Sequence, residues 1–287
     1  MIGSCLCGTV RYELSGPHRA FVHCHCSICR KHHGSLFSSN VAVDPEHLRW
    51  LEGEDSIVRY RSSKALERAF CRHCGSIVPI IAGDLAFCPA GALSNLDMKP
   101  QAHIFVASKS PSDKITDSLP QFPEYPPGYG RAVPGPQVPP LTEGVVQGSC
   151  LCGEVAFEFD DVPRRMVNCH CSRCRISRGA AHATNVFARS AKFRWTRRAG
   201  RVRTYKVPDA EQFTTTFCER CGSLLPSPFE KIRQHLVPVG SLDTPLGITP
   251  TVNIYVASKT SWFDITDGLP QFDELPPLEQ RREFLIG

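Results

Sequence analysis

The chain of 287 residues lacks the features that mark membrane proteins and secreted proteins. It has no run of about 18 apolar residues, which a transmembrane helix would require. Its first residues, Met1 to Cys5, form neither a basic segment nor an apolar segment of the kind found in secretory signals. We therefore expect a cytoplasmic protein with no membrane partner, in a compartment where thiols stay reduced.

A strong excess of charge and a long helical periodicity are also missing. The net charge is +5, which is too mild to demand a nucleic-acid partner. Short segments that alternate apolar and polar residues, bounded by glycine and proline, predict strands instead. They cover residues 8–14, 36–43, 57–61, 102–107 and 153–159, and one short helical turn is expected after Cys26. The pattern indicates a mainly β protein built of short antiparallel sheets.

Cysteine, by contrast, is abundant, and most of the fifteen cysteines belong to a pattern that is written twice. The first copy reads Cys5-x-Cys7-Gly8, Cys24-His25-Cys26-Ser27-x-Cys29 and Cys71-x-x-Cys74-Gly75, and the second reads Cys150-x-Cys152-Gly153, Cys169-His170-Cys171-Ser172-x-Cys174 and Cys218-x-x-Cys221-Gly222. A repeat of this length indicates a duplicated domain. We predict a first half at 1–122, a proline-rich extended linker at 123–146 and a second half at 147–287. Each half is long enough to bury a core of its own.

The outer cysteine pairs of each half have the spacing of a structural zinc site. Such a site needs four thiolates or imidazoles, commonly supplied as two short chelating pairs from separate segments. The pairs predict one site on Cys5, Cys7, Cys71 and Cys74, and another on Cys150, Cys152, Cys218 and Cys221. Disulfides or plain buried cysteines are the rival interpretation, which the duplication and the absence of an export signal disfavour.

Three cysteines remain in the centre of each half. They are Cys24, Cys26 and Cys29 in the first half, and Cys169, Cys171 and Cys174 in the second. Three thiolates can hold one zinc and leave a fourth position for water or a substrate thiol, as in a reactive site. A second structural site with a fourth ligand from elsewhere is the alternative, and the sequence leaves it open.

Several histidines lie near these cysteines, and one cysteine lies outside the repeated pattern. His25 and His170 lie between two ligands of an extended Cys-x-Cys segment, so we expect them to face away from the metal. His32 and His33 could line a substrate pocket, although exposed loop polarity explains them equally well. Cys88 has an apolar counterpart in the second half, which favours a core position.

Four ordered motifs resemble a known family. They are Gly3-Ser-Cys-Leu-Cys-Gly8, Cys24-His-Cys-Ser-x-Cys-Arg30, Phe70-Cys-x-x-Cys-Gly-Ser76 and His103-Ile-x-Val. Together they resemble the glutathione-dependent formaldehyde-activating enzyme family, also called centromere protein V-like, and the resemblance covers both halves. It implies two tandem β-tent zinc domains with up to two zinc ions each, one structural and one on the central cysteines. It also implies carbon–sulfur lyase-type chemistry, the condensation of formaldehyde with glutathione.

Two functional hypotheses follow. In the first, the chain is a zinc-dependent enzyme acting on a thiol–aldehyde adduct, with a small thiol such as glutathione as its partner. The central cysteines then hold the zinc that carries the thiolate. Basic residues nearby could hold the carboxylates of the thiol, or they could be solvated surface charges. These are Arg30, Lys31, Arg173 and Arg175.

In the second hypothesis the chain is a non-catalytic zinc module that binds glutathione, protein or nucleic acid. Its local support is a basic strip, residues 189–203, that holds no acidic residue and is flanked by aromatic side chains. The first half has nothing similar, so we favour a solvated hairpin over a nucleic-acid surface.

Overall fold

The computed structural model describes residues 1–64, 66–128, 135–138, 140–198 and 200–285, so linker residues 129–134 and 139 lie outside the described part. Helical structure is sparse in it. The α-helices are α1 (Ser27–His33), α2 (Ser172–Arg178) and α3 (Arg281–Phe284), and none of them is long and apolar enough to cross a membrane. Short 3-10 helices are Pro45–His47, Glu54–Ser56, Ala90–Ala92, Val106–Ser108, Ser190–Lys192, Glu230–Ile232, Val239–Ser241, Val256–Ser258 and Leu278–Gln280.

The first half is made of ten short strands. They are β1 (Ile2–Ser4), β2 (Arg11–Leu14), β3 (His18–Cys24), β4 (Ser38–Val43), β5 (Leu48–Glu52), β6 (Ile57–Arg61), β7 (Glu67–Cys71), β8 (Ile80–Ala82), β9 (Leu85–Pro89) and β10 (Ala102–Ile104). Three sheets result, with the strand orders β1-β2-β5, β10-β3-β4-β9-β8 and β6-β7. Only the β3–β10 pair among these is parallel.

The second half repeats this plan with twelve strands. They are β11 (Val146–Ser149), β12 (Val155–Phe159), β13 (Met166–Cys169), β14 (Ala183–Arg189), β15 (Phe193–Arg198), β16 (Val202–Lys206), β17 (Thr214–Cys218), β18 (Leu224–Leu225), β19 (Ser227–Phe229), β20 (Gln234–Pro238), β21 (Val252–Ile254) and β22 (Gln271–Phe272). Its sheets have the orders β11-β12-β15, β19-β20-β14-β13-β21-β22 and β16-β17-β18. The predicted mainly β architecture is confirmed.

Local chemistry explains where the elements begin and end. The strand expected at 8–14 starts only at Arg11, because the chain first turns at Gly8, whose φ is +79°. Helix α1 runs for two turns rather than one. The Cys26 sulfur caps it by accepting a hydrogen bond from the Cys29 amide, and Gly34 ends it in the left-handed conformation at φ +62°.

The two halves share one large core cluster, in addition to smaller clusters whose buried residues come from one half alone, which differs from the expectation that each half buries a core of its own. One apolar cluster contains buried residues from both halves. Phe21 and Trp262 meet in it with ring centroids 5.0 Å apart, and a second cluster joins Phe70 to Phe217. The halves share a core because the apolar faces that each leaves uncovered are covered by the other.

Candidate metal and thiol sites

The structure brings the outer cysteines together in each half. The ligand atoms of each group of four lie within 4.8 Å of one another. Sulfur-to-sulfur distances of 3.4 Å, between Cys5 and Cys7, and 3.7 Å, between Cys7 and Cys71, are far too long for a disulfide bond. All fifteen cysteines are free thiols. The rival interpretation of paired disulfides therefore has no support.

These sulfurs fit a tetrahedral zinc ion. A Zn–S bond of about 2.3 Å places the sulfurs of a tetrahedron roughly 3.8 Å apart, close to the observed separations. The surroundings supply hydrogen bonds to negatively charged sulfur, because the Val10 amide donates to Cys5 at 3.2 Å. The Ser76 hydroxyl also lies 3.2 Å from the Cys74 sulfur. In the second half, the Val155 amide donates to Cys150 in the same way, at 3.3 Å.

Neighbouring thiols in the groups shift one another's pKa in opposite directions. The hydrogen bond with Cys7 raises the pKa of Cys5, and the same contact lowers the pKa of Cys7. In the second half the hydrogen bond with Cys169 lowers the pKa of Cys171 to about 3. Within such a pair one thiol therefore loses its proton more readily than its neighbour, and metal binding requires deprotonated thiols.

The central cysteines also meet, three in each half, at the start of a helix. In both groups the three sulfurs lie within 4.8 Å of one another, and no fourth Cys, His, Asp or Glu of the described residues joins them. Cys26 and Cys171 cap α1 and α2, each accepting the amide three residues on at 3.4 Å. The helix start holds the second and third cysteines of each motif in a fixed geometry. Such a donor set can hold zinc and leave one position open.

His25 faces away from these sulfurs, as its place in the Cys-x-Cys segment predicts. Its ring is buried and hydrogen-bonded on both sides, with Nδ1 2.7 Å from Asp113 Oδ2 and Nε2 2.8 Å from His103 Nδ1. His103 Nε2 in turn lies 3.1 Å from Asp117. This hydrogen-bonded row borders a cavity of about 160 Å³ between the two halves.

His170 starts a shorter row in the second half. Its Nε2 lies 2.9 Å from the Asn253 side-chain oxygen, and Asn253 donates to Asp267 at 3.0 Å. Phe263 occupies the position of Asp113, so the buried His170 Nδ1 has no hydrogen-bond partner among the described residues. The exchange of His103 for Asn253 therefore preserves a bridge between histidine and aspartate.

A cavity of about 190 Å³ opens beside the three-cysteine group of the first half. Its walls include Cys29 and His33 from α1, Arg68 from β7, and the aromatic pair of Phe105 and Tyr125. The two aromatic rings meet edge to face with centroids 4.7 Å apart. A small thiol could therefore enter this cavity and reach the sulfurs of this group.

The second half covers its three-cysteine group differently. Leu285, just after α3, is buried in the same apolar cluster as Cys169 and Cys174, and Phe284 packs at its edge. In the first half, Gly135 borders the cavity beside the three cysteines without a side chain. The C-terminal segment thus adds apolar cover beside the second three-cysteine group.

Most of the basic residues expected to hold a carboxylate are engaged elsewhere. Arg30 donates to the carbonyl oxygens of His25 and Ser108, and Arg175 donates to those of His170 and Gly91. Lys31 is buried and pairs with Asp243 of the second half. Arg173 is exposed on α2. Lys31 in particular is wrong as a substrate contact, because α1 points it into the interface between the halves.

His32 and His33 are buried rather than exposed. Their Nδ1 atoms lie 3.2 Å from the Cys221 carbonyl oxygen and 2.6 Å from that of Arg178, so both rings bridge to the second half. Both also border the cavity of about 190 Å³ beside the first three-cysteine group. Cys88 is buried in the core on β9, as predicted.

Four of the seven basic residues in the strip of residues 189–203 form ion pairs. Arg194 binds Glu158 and Asp160, and three other arginines of the strip also pair with acidic side chains. These are Arg189 with Asp161, Arg201 with Glu154 and Arg203 with Glu219. The partners come from neighbouring strands and turns, which is why the sequence alone showed an unbalanced strip. This pairing supports the solvated-hairpin interpretation.

Sequence reasoning missed Arg68, a buried cation at the cavity beside the first three-cysteine group. In the sequence it is one arginine among several, three residues before Cys71. Cys71 corresponds to Cys218, so the residue that corresponds to Arg68 is Thr215. This difference between the two halves was the sequence signal that could have identified Arg68. Burial beside the sulfurs depends on how β7 packs near α1, which the sequence does not show.

Comparison with known proteins adds to this geometry. A family model described as glutathione-dependent formaldehyde-activating enzyme matches residues 1–108 and 145–258. A Halomonas elongata protein that carries the same enzyme name as a provisional designation is 36% identical over 80 residues, which are 26% of this chain and 51% of the relative. The match thus spans about half the length of that relative. A Rhodobacter sphaeroides crystal structure aligns with 22% identity and a TM-score of 0.30, over 34% of this chain and 91% of that one.

Proposed function

Because the chain belongs to the glutathione-dependent formaldehyde-activating enzyme family, we propose that it forms or cleaves the carbon–sulfur bond of a thiol–aldehyde adduct. The adduct is of the S-hydroxymethylglutathione type. The observation that carries the proposal is the first three-cysteine group, which has no fourth ligand among the described residues and borders an open cavity. We also propose a reduced, cytoplasmic location, because cysteine pairs with metal-ligand spacing are typical of such a compartment.

Zinc is the group that these residues fit. Cys24, Cys26 and Cys29 would hold it, and when bound it would offer a fourth position and lower the pKa of an incoming thiol. The outer groups of four cysteines would hold structural zinc, since they leave no position open.

The reaction balances without a further reactant. The sulfur of the thiol adds to the carbonyl carbon of formaldehyde, the S–H bond is lost, and the proton passes to the aldehyde oxygen to give a hydroxymethyl thioether. Burial raises the pKa of Tyr125 to about 12, so this phenol keeps its proton at neutral pH. Tyr125 can therefore donate a hydrogen bond into the cavity but cannot act as a base there.

Metal analysis and calorimetry on the full chain test this proposal. We expect one zinc for each of the four cysteine groups, and glutathione binding that requires zinc. Replacing Cys26→Ser should remove zinc from one site and abolish thiol binding while the protein stays folded. The matched variant Cys74→Ser should instead unfold the first half, because metal binding at a closed site contributes directly to folding. Equal destabilisation by the two variants would show that the central site is structural.

Catalysis needs a separate measurement. Exchange of ¹³C-labelled formaldehyde between its free form and the glutathione adduct can be followed by NMR with and without the protein. We expect faster exchange with the protein and no acceleration by Cys26→Ser. Zinc-dependent thiol binding without faster exchange would identify the chain as a non-catalytic thiol carrier.

A further inference from the structure

A buried arginine shares the cavity of the first three-cysteine group. Arg68 lies on β7, is only 8% exposed, and borders the same cavity as Cys26 and Cys29. The second half has Thr215 at the corresponding position. Arg68 therefore places a permanent positive charge at the cavity of the first three-cysteine group. The buried arginine near the second group, Arg178, is engaged instead by the Gly34 carbonyl and the Asn185 side-chain oxygen.

No carboxylate neutralises this charge in the described part of the chain. Among the described residues, the Arg68 side chain donates one hydrogen bond to an oxygen atom, from Nε to the Ser62 hydroxyl at 3.3 Å. A buried guanidinium costs considerable free energy unless an anion or several acceptors compensate it. The sulfurs do so in part, because the Arg68 side chain hydrogen-bonds with the Cys29 sulfur and borders the same cavity as Cys24 and Cys26.

Among the described residues that border this cavity, Arg68 is a cation with no carboxylate partner, so its guanidinium can meet a ligand beside its contact with the Cys29 sulfur. The other basic residues near this group donate to backbone carbonyls or pair across the interface, as described for Arg30 and Lys31. A planar guanidinium binds a carboxylate through two parallel hydrogen bonds, which makes arginine well suited to select anionic ligands.

We infer that Arg68 binds a carboxylate of the thiol substrate and that the first half selects thiols carrying such a group. The inference rests on the proposed function, because it assigns the second anchor of the same ligand. The sulfur would lie at the three cysteines while the carboxylate lies at Arg68. Arg68 is thus a specificity-determining residue, and it takes no part in breaking or forming the carbon–sulfur bond.

The second half differs at both features that support this role. The Thr215 hydroxyl is engaged with the Cys74 carbonyl of the first half at 2.8 Å. Leu285 also packs in the apolar cluster that contains Cys169 and Cys174, with Phe284 at its edge. We therefore assign carboxylate-thiol binding to the first half alone.

The first test uses the zinc-loaded wild-type protein and three ligands. Calorimetry compares glutathione, its diester and the neutral thiol 2-mercaptoethanol. A hydrogen bond to a charged group contributes about 1.5–3 kcal/mol, so blocking the carboxylates should weaken binding by about tenfold to a hundredfold. Equal affinity for glutathione and its diester would overturn the inference. No binding of any thiol would overturn the proposed function, and this inference with it.

The second test uses variants with zinc content measured on each. Arg68→Gln should lose the same factor for glutathione but keep its affinity for 2-mercaptoethanol, and Arg68→Lys should recover part of the loss. Arg59→Gln removes an exposed charge from β6, the partner strand in the same hairpin, and should change nothing. Loss of zinc, or equal loss of both thiols, in Arg68→Gln would assign Arg68 to the metal site and overturn the inference. Should Arg68→Gln fail to fold, the comparison of wild-type ligands decides.

Discussion

Lys31 and Asp243 form a buried ion pair between the halves that the duplicated positions do not repeat. Lys31 is 4% exposed, and its ammonium lies 2.6 Å from Asp243 Oδ1 while donating to the Ser149 carbonyl at 2.8 Å. Burial lowers the pKa of Lys31 even though Asp243 opposes the shift. The duplicated positions carry Ile176 and Ser94, so the corresponding pair has no charge.

We expect Lys31→Ile to lower the free energy of unfolding by about 3–5 kcal/mol, because it leaves Asp243 buried without its counter-ion. The double variant Lys31→Ile with Asp243→Ser, which copies the other interface, should lose much less. Urea unfolding of the zinc-loaded protein measures both. The exposed pair of Lys99 and Asp264 also joins the halves, and Lys99→Ala should cost no more than about 1 kcal/mol. Equal losses in the single and double variants would contradict the charge argument.

At the scale of elements, the seven-residue helices α1 and α2 each pack on a short 3-10 helix of the opposite half. Helix α1 contacts Val239–Ser241, and α2 contacts Ala90–Ala92. A Cβ atom on Gly240 would lie 2.1 Å from the Arg30 carbonyl oxygen. The offending atoms belong to backbone and cannot swing aside, so these turns require glycine for close approach.

Gly240→Ala should therefore destabilise the protein by about 1–3 kcal/mol, the usual cost of overpacking. Gly247→Ala is the matched control, because a Cβ atom there meets nothing within 4 Å. Thermal unfolding of both variants and the wild type gives the comparison. A shift of the same size in both variants would show that the loss comes from glycine removal in general and not from the helix contact.

At the scale of the whole molecule, buried histidines make the shared core sensitive to acid. His23, His32 and His182 are at most 6% exposed, and burial lowers the pKa of each well below 6.5. The unfolded chain binds protons at these positions in a pH range where the folded chain does not. The free energy of unfolding must therefore fall as the pH drops below about 6.5.

We expect each such histidine to contribute up to about 1.4 kcal/mol of lost stability per pH unit over that range. Denaturation at pH 7.5 and at pH 5.5 measures the loss. The variant His182→Phe, which copies Phe37 of the first half, should show a smaller loss than the wild type. Zinc release affects both proteins alike, so the difference between them isolates the imidazole. An unchanged pH dependence would contradict the assignment.

Much of the fold was predictable because its signals are local. Alternation over 57–61 marks β6, and glycine with cysteine at fixed spacing marks the turns that bring each chelating pair together. The parallel pairing of β3 with β10 was not predictable, since it joins segments about eighty residues apart along the chain. Nor was the burial of His32 and His33, because the groups that cover them belong to the other half.

The sequence by itself determined the duplication, the mainly β class and the grouping of fourteen cysteines, since repeats and short ligand spacings act within a few residues. The tertiary structure decided how the two copies differ. It covers the second three-cysteine group with Leu285 and leaves a cavity at the first, where Arg68 is buried without a carboxylate partner among the described residues. The physical reason is that burial, and with it the cost or value of a charge, depends on surfaces contributed by distant segments.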